Sequence, residues 1–471
     1  YRLGTTSSIP GVLGGYSAIE QMQGNSVAGS RIVGSNVATT WGVSNTGQVV
    51  VSGVTYFGVD TLVGGTASDT LTGPALATTW TVSSANAGSL ASSASTINFS
   101  GVENLTGNTL VDTFVIGASG SLSGVISGGT GVDVVNLLAR TSALEYRLGT
   151  TSSIPGVLGG YSAIEQMQGN SVAGSRIVGS NAATTWGVSN TGQVVVSGVT
   201  YFGVDTLAGG TALDTLTGPA LATTWTVSSA NAGSLASGAS TINFSGVENL
   251  TGNTLEDSFE ILPNGSLNGN LSGGLGGMNS ISYAQWTLGV IVDLSISIAG
   301  NSWAIGGITS LIQMITGGIG NDNLRGAANS STILVGLSGD DILTGGSQRD
   351  LLFGGFGSDV MFGAGADDLL VSGTTLHDTN RISLTLILSE WTSARTFAQR
   401  TANLYGSGTG VSSNGGVFLN SDPLDQVVDT VFSDEDLDTL TGGLNQDWFF
   451  AVPSEIIDFV GTGSSVDRRD G

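Results

Sequence analysis

The chain has 471 residues, of which 75 are Gly and none is Cys; 40% are hydrophobic and only 10% charged. A formal charge of −24, with all 12 basic residues Arg, argues against nucleic acid, whose phosphates need clustered cations, and against charge-driven adhesion to an anionic bilayer. Without Cys there is neither a disulfide nor a thiolate metal site, and no apolar run reaches the roughly 18 residues that span a bilayer.

Abundant Gly, Ser, Thr, Asn and Val predict many short strands joined by tight turns. Residues 1–145 and 146–290 form two repeat modules. The segment YRLGTTSSIPGVLGGYSAIEQMQGN begins at Tyr1 and again at Tyr146, and over the first 110 positions the copies differ only at Val37/Ala182, Val63/Ala208, Ser68/Leu213 and Ser93/Gly238. They diverge after about residue 255, where Val111, Thr113 and Val115 become Glu256, Ser258 and Glu260. Tyr1 falls inside the repeat pattern, so the sequence is expected to be the C-terminal part of a longer chain.

Each module contains a shorter unit: YSAIEQMQGN from Tyr16, YFGVDTLVGG from Tyr56 and FSGVENLTGN from Phe99, with strand signals ATTWGVS and ATTWTVS between them. Inside these units runs a nine-residue beat. Asp60 is followed by Asp69, with Leu62 and Leu71 two residues on; Glu103 is followed by Asp112, with Leu105 and Phe114; and GGTGVDVVN repeats the template around Asp133. A glycine turn and a short alternating strand cannot bury an apolar face alone, but stacked copies can. The predicted fold is therefore all-β, a right-handed parallel β-solenoid (β-helix or β-roll), with Trp41, Trp80, Phe57 and Phe99 filling its interior or covering its edge. Residues 291–316 are expected to supply connecting turns.

The beat is strictest in residues 317–371. Asp341, Asp350, Asp359 and Asp368 recur at intervals of nine, each followed two residues later by Leu343, Leu352, Met361 or Leu370. Gly317, Gly318, Gly345, Gly346, Gly354, Gly355, Gly363 and Gly365 are the predicted turn residues, free to adopt angles that other residues avoid. Stacking brings turns on one edge about 4.8 Å apart, so carboxylates and carbonyls of neighbouring turns converge in an all-oxygen cage suited to Ca2+. The candidate ligands are Asp322, Asp340, Asp341, Asp350, Asp359, Asp367 and Asp368, with Asp133 upstream and Asp438 and Asp447, also nine apart, downstream. The insertion AANSSTILV after Arg325 interrupts the array and sets Asp322 apart from the later turns.

Five segments, GGIGNDNLR, GLSGDDILT, GGSQRDLLF, GGFGSDVMF and GAGADDLLV, carry a resemblance to the calcium-binding nonapeptide G-G-x-G-x-D-x-U-x of RTX proteins. That resemblance implies a parallel β-roll with bound calcium. Beyond it, Leu388, Trp391, Phe397, Ala398 and Leu404 share one helical face, with Gly406 as a stop, and predict a helix over the end of the stack. Residues 372–471 are thus a small α+β cap. They resemble the C-terminal region of very large secreted bacterial repeat proteins, where it is the address read by a type I export machine.

His377 is the only His, which excludes any site needing two. There is no G-x-S-x-G nucleophile elbow, and no catalytic residue is assigned. The expected role is a calcium-stabilised, non-enzymatic protein of the bacterial cell surface or matrix: a fibre, filament or adhesin stalk, with self-association and cell-surface polysaccharide as the expected contacts and without membrane insertion. The alternative is a β-helix lyase or epimerase with an RTX module, which rests on fold analogy alone; a pore-forming toxin would need an amphipathic segment that the sequence lacks.

Overall fold

A computed structural model of the chain describes residues 1–3, 19–24, 28–149, 152–238, 240–421, 428–461 and 466–470. Tyr16, where one of the short units begins, lies outside them. The chain is mostly β, about 40% strand with two short helices, and divides into two compact units, Tyr1–Ala212 and Leu213–Gly471. The division falls inside the second sequence module.

In the first unit, three-residue strands pair in parallel with strands some 30 to 40 residues on. Arg31–Val33 pairs with Thr61–Val63, and Thr70–Thr72 with Asn104–Thr106. The middle residue of each points inward, so Ile32, Leu62, Leu71 and Leu105 are fully buried. The side-chain period of two makes such a strand specify its own orientation. Trp80 and Phe114 occupy matching positions on paired strands and stack at 5.5 Å.

Parallel pairing is not the whole architecture. Thr40–Val43, Val49–Val51 and Val54–Phe57 form an antiparallel triplet, as do Thr78–Ser84, Ala87–Ala91 and Thr96–Ser100. The Ser52-Gly53 pair makes a two-residue turn with φ of +50° and +79°, the left-handed geometry that matches strand twist in a tight hairpin. Trp41, Trp80 and Phe99 are inside as expected, but Phe57 is half-exposed. Tyr56 takes the interior place, because the strand's alternation turns Phe57 to the other face.

The second unit carries two series of parallel strands in alternation. One runs Ser280–Ser282, Met314–Thr316, Ile333–Ser338, Leu351–Phe356, Leu369–Val371, Trp448–Phe450 and Arg468–Asp470. The other runs Ile291–Asp293, Asn323–Arg325, Ile342–Thr344, Val360–Ala364 and Thr439–Gly443. Successive nonapeptides therefore fall on opposite sheets, and the stacked neighbour of Asp341 is Asp359, not Asp350. Leu343, Leu352, Met361 and Leu370 are fully buried between the sheets, each contributing roughly 1.5–3 kcal/mol.

The insertion after Arg325 does not break the array. Its Ile333–Ser338 is a full strand, and Asn323–Arg325 pairs directly with Ile342–Thr344. Thr332 stands where an Asp would, which hid the repeat from the nine-residue pattern. The cap also differs from expectation. Two helices form, α1 Arg381–Trp391 and α2 Phe397–Tyr405. Asn380 caps α1 through Ser383 N–H, Thr396 and Gln399 form a capping box on α2, and Gly406 ends α2 at φ +90°. The helices cover a sheet face, not the end of a stack: Leu384, Ile387, Trp391 and Leu404 pack on Leu351, Phe353, Leu369, Val371 and Trp448. That sheet is consequently apolar on both faces, whereas Ile342 and Phe362 on the other sheet are exposed. Among the described residues no helix is long and apolar enough to cross a membrane.

Candidate metal centre

Apart from the one that ends in Thr332, the turns between these two strand series end in an Asp whose side chain folds back under the turn, and these carboxylates form two hydrogen-bonded ladders. On one edge Oδ1 of Asp322 accepts the N–H of Val290 at 2.7 Å, Asp341 that of Asp322 at 2.7 Å, Asp359 that of Asp341 at 2.8 Å and Asp438 that of Asp359 at 2.7 Å. On the other edge Asp350 accepts from Thr332 at 2.6 Å, Asp368 from Asp350 at 2.8 Å, Asp447 from Asp368 at 2.7 Å and Asp467 from Asp447 at 3.0 Å. Asp322 is thus joined to the later turns after all. Buried carboxylates that accept backbone N–H groups fix the spacing of successive turns.

The turn glycines mostly serve by leaving space. Gly355 is left-handed at φ +114°, but among the other predicted turn residues, Gly317, Gly318, Gly345, Gly346, Gly354, Gly363 and Gly365, none adopts that region. A Cβ on Gly336 would lie 2.2 Å from Asp341 Oδ2 and 2.5 Å from the Gly354 carbonyl oxygen; on Gly354, 2.3 Å from Asp359 Oδ2 and 2.5 Å from the Ser372 carbonyl. On Gly345 it would meet Asp350 Oδ2 and the Gly363 carbonyl, and on Gly317 Asp322 Oδ2. Each missing side chain thus opens a gap where a carboxylate oxygen faces a carbonyl of the next turn.

These oxygens are not all satisfied. Oδ2 of Asp322 accepts the N–H of Gly318, and Oδ2 of Asp350 that of Gly346. Oδ2 of Asp341, Asp359, Asp368 and Asp438, and of Asp133 in the first unit, is buried without a hydrogen-bond partner. Burial pushes the carboxyls up, to about 8 for Asp341 and Asp359, about 7 for Asp350 and Asp438, about 8 for Asp447 and about 10 for Asp368. Neighbouring carboxylates add to the effect at Asp341, Asp359, Asp368, Asp438 and Asp447. Burial likewise raises Asp322 and Asp133. Anionic oxygen lacking a donor and facing carbonyl oxygen is the environment a hard divalent cation relieves, so the residues fit calcium. Among the described residues no three acidic or imidazole side chains converge as a metal-holding group. A cation here would draw on one or two carboxylates and on main-chain carbonyls.

The remaining candidates stand apart from this pattern. Asp340 is exposed and accepts the N–H of Ser358 at 3.1 Å. Asp367 is held by the guanidinium of Arg400, with Arg349 at 3.5 Å. In the first unit Asp133 accepts the N–H of Asp112 at 2.8 Å, and Glu165 accepts that of Asp133 at 2.7 Å. His377 meets the Phe418 carbonyl at 2.9 Å, while Asp378 closes a turn on Thr375. Sequence reasoning missed Gly336 and Gly442 as members of the cradle, and the amides Asn279 and Gln313 as rungs of an upstream ladder.

The family described as the RTX calcium-binding nonapeptide repeat (4 copies) matches residues 55–73 and 335–370. The second match covers the turns of Asp341, Asp350, Asp359 and Asp368; the first covers Asp60 and Asp69. No curated protein matches the chain.

Proposed function

We propose, from the premise that this chain is an RTX repeat protein whose nonapeptides bind Ca2+, that it is a calcium-stabilised structural component of the bacterial cell surface or extracellular matrix. In this reading its repeats form a right-handed parallel β-solenoid serving as fibre, filament or adhesin stalk. Exported chains meet calcium only outside the cell, where the ion folds the acidic array. The observation that carries the reading is the set of buried Asp Oδ2 atoms at 341, 359, 368 and 438, which have no donor in the protein and repel one another until a cation arrives. Near-identical modules would present one surface at regular intervals, so that a weak lateral contact is repeated and summed.

Calorimetric titration of the whole chain with calcium tests the first half of this reading. Several sites and a gain in β-structure by circular dichroism are expected; absence of both heat and spectral change refutes it. Electron microscopy in calcium tests the second half. Filaments or sheets support assembly, and uniform monomers at high concentration leave a stalk that does not assemble.

A further inference from the structure

After Val371 the chain leaves the strand series for α1 and α2 and returns only at Thr439–Gly443. The ladder spacing, 18 residues between Asp350 and Asp368, becomes 79 between Asp368 and Asp447. Yet the turns on either side of this excursion, residues 363–368 and 442–447, are stacked as closely as consecutive nonapeptides. Asp368 N–H donates to Asp447 Oδ1 at 2.7 Å, and Leu444 N–H to the Ala364 carbonyl at 3.2 Å.

Two properties mark this pair of turns. Both have left-handed residues at their second and fourth positions, Ala364 (φ +82°) and Ala366 (φ +78°) in one, Gly443 (+101°) and Asn445 (+82°) in the other. The turns of residues 336–341 and 354–359 do the same on the other edge, through Leu337, Gly339, Gly355 and Gly357, and so do residues 128–133 in the first unit, through Gly129 and Gly131. By contrast, residues 345–350 contain no left-handed residue, and there Asp350 Oδ2 is already bonded to Gly346. Second, Asp368 is fully buried and its Oδ2 has no partner. That oxygen and the Gly442 carbonyl converge on the space beside Gly363, lying 2.5 and 2.6 Å from where its Cβ would be, and Asp447 Oδ2 lies 2.3 Å from the corresponding point on Gly442. The family match stops at residue 370, so the second of these turns lies outside it.

We propose that a Ca2+ ion bridges the turns of residues 363–368 and 442–447, held by Asp368 Oδ2, the Gly442 carbonyl and Asp447 Oδ2, and so fastens shut the chain excursion that carries both helices. The proposal rests on the calcium-binding reading above and adds a site whose two halves come from separate parts of the sequence. Fastening a long excursion at its base removes the freedom that would otherwise oppose its closure. The same turn is read by the helices: the Trp391 indole donates to the Asp367 carbonyl at 2.9 Å, and Arg400 pairs with the Asp367 carboxylate. An ion at Asp368 therefore fixes the surface on which α1 and α2 dock.

Asp447→Asn and Asp368→Asn in the full chain test this. An amide keeps the ladder bond, as Asn279 does when it accepts Asp257 N–H at 2.9 Å, but loses the charge. Calcium stoichiometry is measured by equilibrium dialysis, and trypsin cleavage after Arg395 and Arg400 reports opening of the excursion. Calcium at about 100 times its Kd should slow cleavage of the wild type about a hundredfold. Each variant should bind one ion fewer and lose that protection, while Asp341→Asn removes a different ion and leaves the protection intact. Unchanged stoichiometry and protection in both 368 and 447 variants overturns the bridging ion while the calcium reading survives through Asp341→Asn. A wild type that binds no calcium overturns both.

Discussion

Asn279 performs in the second unit the task that Asp133 performs in the first: each accepts through Oδ1 the N–H of a ladder aspartate, Asp257 at 2.9 Å and Asp112 at 2.8 Å. The next rung repeats the substitution, Gln313 accepting from Asn279 where Glu165 accepts from Asp133. A neutral amide is therefore enough to hold a turn in place. The ionisable carboxyls retained at 341, 359, 368 and 447 need a different reason, and a cation supplies one.

Asp359→Asn separates the two roles. It should keep the fold and, without calcium at pH 8, be at least as stable as the wild type, because a buried charge has been removed. In calcium at about 100 times Kd it should lack the roughly 2.7 kcal/mol that one bound ion contributes. Paired thermal melts with and without chelator read both effects; an equal calcium-induced gain in variant and wild type would contradict the assignment.

The calcium-free protein should respond to pH in the opposite sense from a protein stabilised by ion-paired carboxylates. Folded-state values of about 8 for Asp341, Asp359 and Asp447 and about 10 for Asp368 lie above the unfolded value near 3.9. The native state binds the extra protons, so this contribution is fully present below pH 4 and is lost as pH rises through 8 to 10. Melting temperature without calcium should fall between pH 5 and pH 9, and calcium should flatten the decline. A flat profile over that interval would show that these carboxyls ionise as freely in the fold as in the unfolded chain, and a rise that the fold favours their charged form.

Gly354→Ala and Gly365→Ala probe space without confounding backbone angle, since neither glycine is left-handed. The first places a methyl 2.3 Å from Asp359 Oδ2 and 2.5 Å from the Ser372 carbonyl, whereas the second meets nothing closer than 3.5 Å. Gly354→Ala should cost about 2–3 kcal/mol and weaken calcium binding, and Gly365→Ala should stay within about 0.5 kcal/mol. Urea denaturation of the two, compared at fixed calcium, checks the contrast; equal costs would mean the gap beside Gly354 is not needed.

Arg400→Met addresses the cap. Arg400 is buried, donates to the Trp391 carbonyl at 2.8 Å, lies 4.7 Å from the Trp391 ring centroid and pairs with Asp367. Removing Arg400 leaves the half-buried Asp367 with Arg349 alone, at 3.5 Å, and the Trp391 carbonyl without its donor, at a cost of about 1–3 kcal/mol. Helical circular dichroism and Trp fluorescence should report loosened helices before the strands melt; a single unchanged transition would show that Arg400 does not hold the cap.

The residues that the nine-residue beat placed inside, Leu343, Leu352, Met361 and Leu370, are inside, because a buried apolar residue two places after each Asp is a local property of turn and strand. What the beat could not reveal is pairing. Alternate nonapeptides fall on opposite sheets, a long-range choice that only the apolar flanks betray: Leu351, Phe353, Leu369 and Val371 are apolar because helices cover them. Thr332 in place of an Asp disguised a complete turn. The antiparallel triplets did leave a signal, the Ser52-Gly53 and Ser197-Gly198 pairs between alternating strands, both left-handed in the structure. The single helical face from Leu388 to Leu404 spans two helices, since Thr396 with Gln399 forms a capping box that starts the second.

Every rung of the ladders points the same way: the N–H of one aspartate is received by a carboxylate that the chain has yet to supply, Asp341 by Asp359, Asp359 by Asp438, Asp447 by Asp467. Only the last rung looks after itself, for Asp467 exchanges hydrogen bonds with Val460, N–H to carbonyl at 3.0 Å and N–H to Oδ2 at 2.7 Å, seven residues away. Order along this chain therefore has a direction. A segment delivered C-terminus first would find its acceptor already waiting at each step, whereas one delivered N-terminus first would carry an unanswered amide at its growing tip until the next turn arrived.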